Sequence, residues 1–248
     1  MLSSQGGQLL GTSDTHLTRV GRLYLVATPI GNLEDITLRA LRILKGVDLI
    51  ACEDTRRTRK LLAHYGIGKR LTSYYDYNKE KKASGLLKSL LMGKSIALVS
   101  DAGTPGISDP AFYLVRLAIK EGIEITPIPG PNAALSALIS SGLPTDRFAF
   151  EGFLPSKPGA RRRRLEDLAN ERRTLIFYES PHRLLATLQD MQTVFGNRKT
   201  ALAKELTKRF EGIIRGTLNE LIPQLPRGKV KGEWVILVEG KANKETNR

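Results

Sequence analysis

The sequence predicts an α/β protein made of two α/β domains, with a mainly parallel sheet in the first and a mixed sheet in the second. Two observations predict this. In the first half, short aliphatic runs alternate with amphipathic stretches, the pattern of parallel strands covered by helices. In the second half, strand-like runs follow one another with fewer helices between them, which favours a mixed sheet. A chain of 248 residues with 41% apolar composition is long enough to give each half its own core.

Taken in order, residues 1–20 mix Ser, Gly, Gln and Thr with little periodicity and read as a flexible leader. Strands are expected at Leu23–Ala27, Asp48–Cys52, Ile96–Ser100 and Ile123–Ile128. Amphipathic helices are expected at Asp35–Lys45, Thr55–Tyr65 and Ala83–Met92. After Pro129-Gly130-Pro131, the small-residue stretch Asn132–Ser141 predicts a helix closed by Gly142 and Pro144. Further strands are expected at Phe148–Gly152, Thr174–Tyr178, Thr200–Glu205, Gly212–Gly216 and Glu233–Glu239, with helices at Ala160–Glu171 and His182–Phe195. The boundary falls near residue 131, giving an N-terminal domain of residues 21–131, a C-terminal domain of residues 132–240 and a tail of residues 241–248.

Apolar runs such as Leu23–Ala27 are far too short to span a bilayer. No secretory leader opens the chain, and a single cysteine, Cys52, excludes an internal disulfide or a cysteine-built zinc site. These features point to the cytoplasm, with no membrane association. The net charge of +14 suits a polyanionic partner. It sits in two blocks: residues 39–82 carry 12 Lys/Arg against 5 Asp/Glu, and residues 157–215 carry 14 against 7. A solvated basic surface explains the charge about as well as a nucleic-acid site does.

Three strand-to-helix segments carry ligand chemistry. Ala27-Thr28-Pro29-Ile30-Gly31-Asn32-Leu33-Glu34-Asp35 places a tight turn before a helix start, where backbone N–H groups face a ligand. An ordinary turn with Asp35 capping the helix accounts for the same residues. The segment matches neither the dinucleotide nor the triphosphate glycine pattern. Ser100-Asp101-Ala102-Gly103-Thr104-Pro105-Gly106-Ile107-Ser108-Asp109-Pro110 follows a strand and leads into a helix that Ser108 or Asp109 can cap. Its small side chains let a ligand approach the backbone, at the strand end where α/β sheets bind ligands. Pro129-Gly130-Pro131-Asn132-Ala133-Ala134 leaves room beside a third helix start, although packing against a neighbouring domain explains it too.

Together with Ala51-Cys52-Glu53-Asp54-Thr55-Arg56, Tyr178-Glu179-Ser180-Pro181-His182-Arg183 and Lys204-Glu205-Leu206-Thr207, these segments resemble the tetrapyrrole methylase superfamily. Within it they look like the branch that modifies small-subunit ribosomal RNA, over roughly residues 23–240. The resemblance implies two α/β domains with S-adenosylmethionine in the cleft between them, a homodimer, and no metal or redox cofactor. It also implies methyl transfer to the ribose 2′-hydroxyl of a cytidine in small-subunit (16S) ribosomal RNA, as free RNA or within the subunit. By motif position, Ile30, Asp101, Ala102, Gly103, Thr104, Ala133, Ala134, Tyr178 and Leu206 are expected to contact the cosubstrate.

Aligning the hydroxyl with the methyl carbon is the main catalytic task, and a base or cation helps as the proton leaves. Glu53, Asp54, Glu179 and Glu205 are candidates for the base, with Arg56 and Lys204 as phosphate or oxyanion partners; each also reads as a salt-bridge residue. Arg57 and Arg59 on the second helix, and the run Arg161, Arg162, Arg163 and Arg164, are expected to grip RNA phosphates. Tyr74, Tyr75 and Tyr77 with Asn78 suggest stacking surfaces for an unpaired nucleotide. His182 and Arg183 are expected to touch substrate. His182 is no metal candidate, because His16 and His64 are the only other histidines and neither has ligand spacing to it.

The chain departs from the superfamily branch in two places. Relatives usually carry His at one or both of the positions held here by Tyr75 and Tyr77, and tyrosine, neutral near pH 7, is a poor base. Many relatives also continue beyond the position of Gly240 into a small helical extension. Two other readings compete: a corrin-type tetrapyrrole methyltransferase, which would not need the Arg161–Arg164 run, and an RNA-binding member without catalysis.

Overall fold

The computed structural model describes residues 21–225 and 231–242; the expected leader and most of the expected tail lie outside the described residues. The first sheet is built from β1 (Arg22–Val26), β2 (Leu49–Cys52), β3 (Leu71–Ser73), β4 (Ile96–Val99) and β5 (Glu124–Ile128), in the order β3-β2-β4-β1-β5. Every pairing is parallel. The helices α1 (Leu38–Gly46), α2 (Thr55–His64), α3 (Lys79–Leu91) and α4 (Ala111–Lys120) supply the crossovers. Because both faces are covered, β2 and β4 are apolar throughout, and β4 is buried at all four residues. Leu23, Ile96, Leu114 and Leu90 fill the core on one face, and Val26, Leu44, Ile50 and Ile128 fill it on the other.

Three local expectations are corrected. Asp35 does not cap α1: Leu33–Asp35 forms a 3-10 turn capped by Asn32, and Thr37 Oγ1 accepts the Ala40 amide at 3.0 Å as the α1 cap. Strand β3 was not expected, because three half-buried residues give no apolar run; its pairing with β2 makes it a strand. Helix α3 starts at Lys79 rather than Ala83, since its charged first turn shows no apolar periodicity while Ala83, Leu86 and Leu90 carry the buried stripe.

The second sheet contains β6 (Phe148–Phe153), β7 (Thr174–Glu179), β8 (Lys199–Lys204), β9 (Gly212–Thr217) and β10 (Trp234–Val238), in the order β6-β7-β10-β8-β9. β6 pairs with β7 in parallel; the other three pairings are antiparallel. Helix α5 (Ala133–Ser141) packs through Ala134, Ala137 and Leu138 on one face of this sheet. Helices α6 (Pro158–Asp167), α7 (Leu184–Phe195) and α8 (Leu218–Leu221) cover the other face around Phe177, Leu188, Met191 and Ile236. The antiparallel register matters for the site. It sets Trp234, at the start of β10, beside Glu179 and Lys204 at the ends of β7 and β8.

Candidate functional site

A cavity of about 300 Å³ opens where the carboxyl ends of the first sheet's strands meet those of β7 and β8. Its floor is knitted from the three loops. Thr28 and Gly103 exchange backbone hydrogen bonds at 2.9 Å in each direction, tying the loop after β1 to the loop after β4. Thr104 Oγ1 donates to the Pro131 carbonyl at 3.1 Å and lies 3.4 Å from Asn132 Nδ2, tying in the loop before α5. Asn132 also caps α5, accepting the Leu135 amide at 3.1 Å. Gly103 has φ +85, and a Cβ there would come to 3.4 Å from Ile30 Cγ2. That backbone conformation favours glycine and leaves the cavity wall bare.

The second sheet closes the other side. The Asn32 amide donates to Thr207 Oγ1 at 3.0 Å. A Cβ on Gly31 would lie 2.4 Å from Lys208 Cγ, so the first loop rests directly on the segment after β8. That segment is strained, with Glu205 at φ +49 and Thr207 at φ +67. Glu205 Oε1 holds it by accepting from the Glu233 amide at 2.8 Å and from Lys208 Nζ at 3.0 Å, and the Glu233 amide bond, chiefly, lowers the Glu205 carboxyl pKa. The walls are Ile30, Ala133, Ala203, Leu206 and Val235, with Tyr178 flanked by Phe150 and Phe153 at centroid distances of 4.9 and 5.7 Å. Burial raises the Tyr178 hydroxyl pKa.

Of the residues expected around a cosubstrate, Ile30, Ala102, Gly103, Thr104, Ala133, Tyr178 and Leu206 line this cavity. Ala134 is buried within α5. Asp101 lies on the wall of an adjoining 260 Å³ cavity, with Thr28, Thr58 and Lys60. Its carboxylate accepts the Asp54 amide at 2.9 Å and sits 3.5 Å from the Arg57 guanidinium. Asn132, from the third of the strand-to-helix segments, lines the main cavity too, as do Phe153, Ala203, Trp234 and Val235, which the sequence did not single out. These four sit on strands of the second sheet, and only the register of that sheet brings them together.

The acidic candidates separate by environment. Glu53 accepts the Asp101 amide at 3.0 Å, and burial raises its carboxyl pKa against that bond. Asp54 is held at about 2, first by the hydrogen bond from the Arg56 side chain at 2.9 Å. Glu179 is 2% exposed and saturated: it accepts from the Ser180 amide at 2.7 Å, from Arg183 at 2.7 Å and from Thr187 Oγ1 at 2.6 Å. Lys204 Nζ stands 5.8 Å from the centre of the Trp234 ring.

The basic run at the head of α6 is mostly committed elsewhere, and this corrects the expected RNA role of Arg161. Arg161 is 4% exposed and clamped on the buried Asp190 carboxylate at 2.6 Å, so its guanidinium has no route to a phosphate. Arg162 shares Asp190 at 2.7 Å, and Arg164 holds Glu151 at 2.6 Å. Arg163 is exposed with no ion pair among the described residues. Tyr74 is likewise 1% exposed and belongs to the core, whereas Tyr75 and Tyr77 are exposed. Asn78 holds the turn that presents them, accepting the Tyr75 amide at 2.9 Å. His182, Arg57 and Arg59 lie at or near the surface on the same side as the strand ends.

Two helix-covered sheets with a cavity at their strand ends place the chain among α/β proteins whose fold offers a small-molecule site there. The family model for Tetrapyrrole (Corrin/Porphyrin) Methylases matches residues 22–222, and the chain belongs to that family. It is 55% identical to ribosomal RNA small subunit methyltransferase I of Halalkalibacterium halodurans over 224 residues, covering 90% of this chain and 78% of the relative. It is 53% identical to the protein of the same name in Escherichia coli O157:H7 over 229 residues, covering 91% and 80%. Among solved structures, uroporphyrin-III C-methyltransferase from Thermus thermophilus complexed with S-adenyl homocysteine shares the fold, with a TM-score of 0.61 and 20% identity over 89% of this chain and 98% of that one.

Proposed function

We propose that this chain is an S-adenosylmethionine-dependent methyltransferase that 2′-O-methylates the ribose of a cytidine in small-subunit ribosomal RNA. The observation that carries the reading is the cavity at the strand ends, in a chain more than half identical to relatives named for that substrate. The cavity fits the cosubstrate. Its volume is within the ~300–1,000 Å³ range of small-molecule pockets, and an apolar wall of Ile30, Leu206 and Val235 faces a polar rim of Thr104, Asn132 and Ser180. Gly103 leaves the floor open for close approach to the backbone.

When bound, S-adenosylmethionine supplies an electrophilic methyl group on a sulfonium. The chain's own task is alignment of the acceptor hydroxyl and disposal of its proton. Ile30, Ala133 and Leu206 would hold the apolar part of the cosubstrate, with Thr104 and Asn132 orienting its polar part. Glu53 is our candidate base, because burial raises its carboxyl pKa and it accepts the Asp101 amide at the start of the loop after β4. Asp54, held at about 2, remains an anion and positions Arg56. Glu179 positions Arg183 and the Ser180 turn, and Glu205 fixes the loop that carries Leu206. Arg57, Arg59 and Arg163, the last unpaired among the described residues, would contact RNA, with Tyr75 and His182 stacking on bases. Residues 21–131 and 132–240 act as two lobes around the cavity, in a cytoplasmic homodimer. Among the described residues no helix is long and apolar enough to cross a membrane.

The test is transfer of labelled methyl to small ribosomal subunits lacking the modification, followed by nucleoside analysis. A 2′-O-methylated cytidine is expected. Transfer to a corrin-type tetrapyrrole instead, or cosubstrate binding without transfer, overturns the assignment.

A further inference from the structure

The far end of the first sheet carries a second cleft, of about 450 Å³, between the starts of β2 and β3 and helix α3. Arg70, just before β3, Lys82 in α3 and Lys94, just before β4, converge on it from three separate elements. All three are exposed, and none takes part in an ion pair among the described residues. The one carboxylate on the wall, Asp48, already accepts the Ser95 amide at 2.8 Å. Among the described residues β3 pairs with β2 alone, and Leu71 and Thr72 of this edge strand line the cleft.

Gly85 is a second, independent observation. It sits in the middle of α3, where glycine weakens a helix, and a Cβ there would meet nothing within 4 Å. Packing inside the protein therefore gives no reason for it. It leaves bare backbone in the cleft wall, open to whatever lies there.

The same edge strand leads toward the methyl-transfer cavity. Past β3 stand the exposed rings of Tyr75 and Tyr77, edge to face with centroids 6.5 Å apart. The four residues of β4 separate the two ends of the sheet, ~13 Å at ~3.3 Å per residue. A nucleotide in the cavity and a phosphate in this cleft are thus distinct contacts along one track. We infer that the β3–α3 cleft is a docking site for the phosphodiester backbone of the RNA substrate, holding a segment remote from the methylated nucleotide through Arg70, Lys82 and Lys94. The inference rests on RNA being the substrate. Unpaired cations over a bare wall suit phosphate oxygens, and the tyrosines suit a base flanking that segment.

The test is the full-length triple variant R70A/K82A/K94A, compared with R70K/K82R/K94R. Binding to a labelled small-subunit RNA fragment is measured across a salt series, beside methyl-transfer kinetics on small subunits. The alanine variant is expected to raise the KM for subunits about tenfold, leave kcat and the cosubstrate Kd unchanged, and flatten the log–log salt slope by about 2, at ~0.7 per lost single-strand phosphate contact. The charge-preserving variant is expected to behave as the parent. An unchanged salt slope in the alanine variant overturns the inference. Titration with inorganic phosphate separates the sources: phosphate binding lost in the alanine variant with an unchanged RNA slope would assign the cleft to a small anion and also overturn it. If the parent protein binds the cosubstrate but methylates no subunit, the functional reading fails, while the RNA salt slopes still decide the cleft.

Discussion

The two basic blocks carry the same formal excess, yet the fold treats them differently. In residues 157–215, Arg161, Arg162, Arg164, Arg173 and Arg183 each lie against a carboxylate. In and just beyond residues 39–82, Arg59, Lys60, Arg70, Lys82 and Lys94 have no such partner among the described residues. A charge already neutralised by a neighbour releases few counterions when a phosphate arrives. Formal charge counted along a sequence therefore overstates the paired arginines of α6 as a nucleic-acid surface.

The sharpest way to break this contrast is Asp190→Ala, which strands the buried Arg161. Losing one partner of a buried ion pair is expected to cost about 3–5 kcal/mol. Urea denaturation reads the loss, and the RNA salt slope should not flatten; a flatter slope would mean that the paired arginines of α6 already grip phosphate in the parent protein. Next in size, Arg59→Ala with Lys60→Ala is expected to weaken RNA binding about tenfold, ~1.4 kcal/mol, and to flatten the salt slope by between about 1 and 2, with the melting temperature unchanged. Unchanged binding would place α2 outside the RNA surface. Glu151→Ala releases the half-exposed Arg164; a stability loss of ~0.2–1 kcal/mol is expected by denaturation, together with slightly tighter RNA binding.

The smallest expected effect is on pH. Asp54 is at about 2 against an ordinary 3.8, so its folded-state pKa is depressed. Its contribution to stability is present above the ordinary value and lost as pH falls through about 2. Thermal melts of Asp54→Asn and the parent should therefore differ by the same small amount throughout pH 5–8 and converge only in strong acid. A difference that grows between pH 5 and 8 would contradict the assignment.

Much of the architecture was legible because parallel, helix-covered strands must be apolar on both faces: β1, β2, β4 and β5 announced themselves as short aliphatic runs. β3 did not, since an edge strand of three half-buried residues is defined by its partner rather than by its own composition. The floor of the cavity was legible for a similar reason. Tight turns after strands need Gly, Pro and Asn, and these residues mark the loops at Ile30, Gly103 and Asn132. Its roof was not. Phe153, Ala203 and Trp234 are ordinary strand residues until the parallel β6–β7 and antiparallel β7–β10–β8 registers bring them to one end of the sheet. The burial of Arg161 was equally hidden, because Asp190 lies in another helix 29 residues away.

The bond between the Asn32 amide and Thr207 joins residues 175 positions apart. Chains leave the ribosome amino end first, at ~5–20 residues per second. The first sheet can thus close many seconds before the roof that Asn32 must grip has been synthesised. During that interval a half-built cavity lies open and the cosubstrate has nothing complete to occupy. Once Thr207 arrives, ligand binds only the finished form and adds its own binding free energy to that form's stability. Abundant methyl donor in the cell would then act as a late folding aid for its own enzyme.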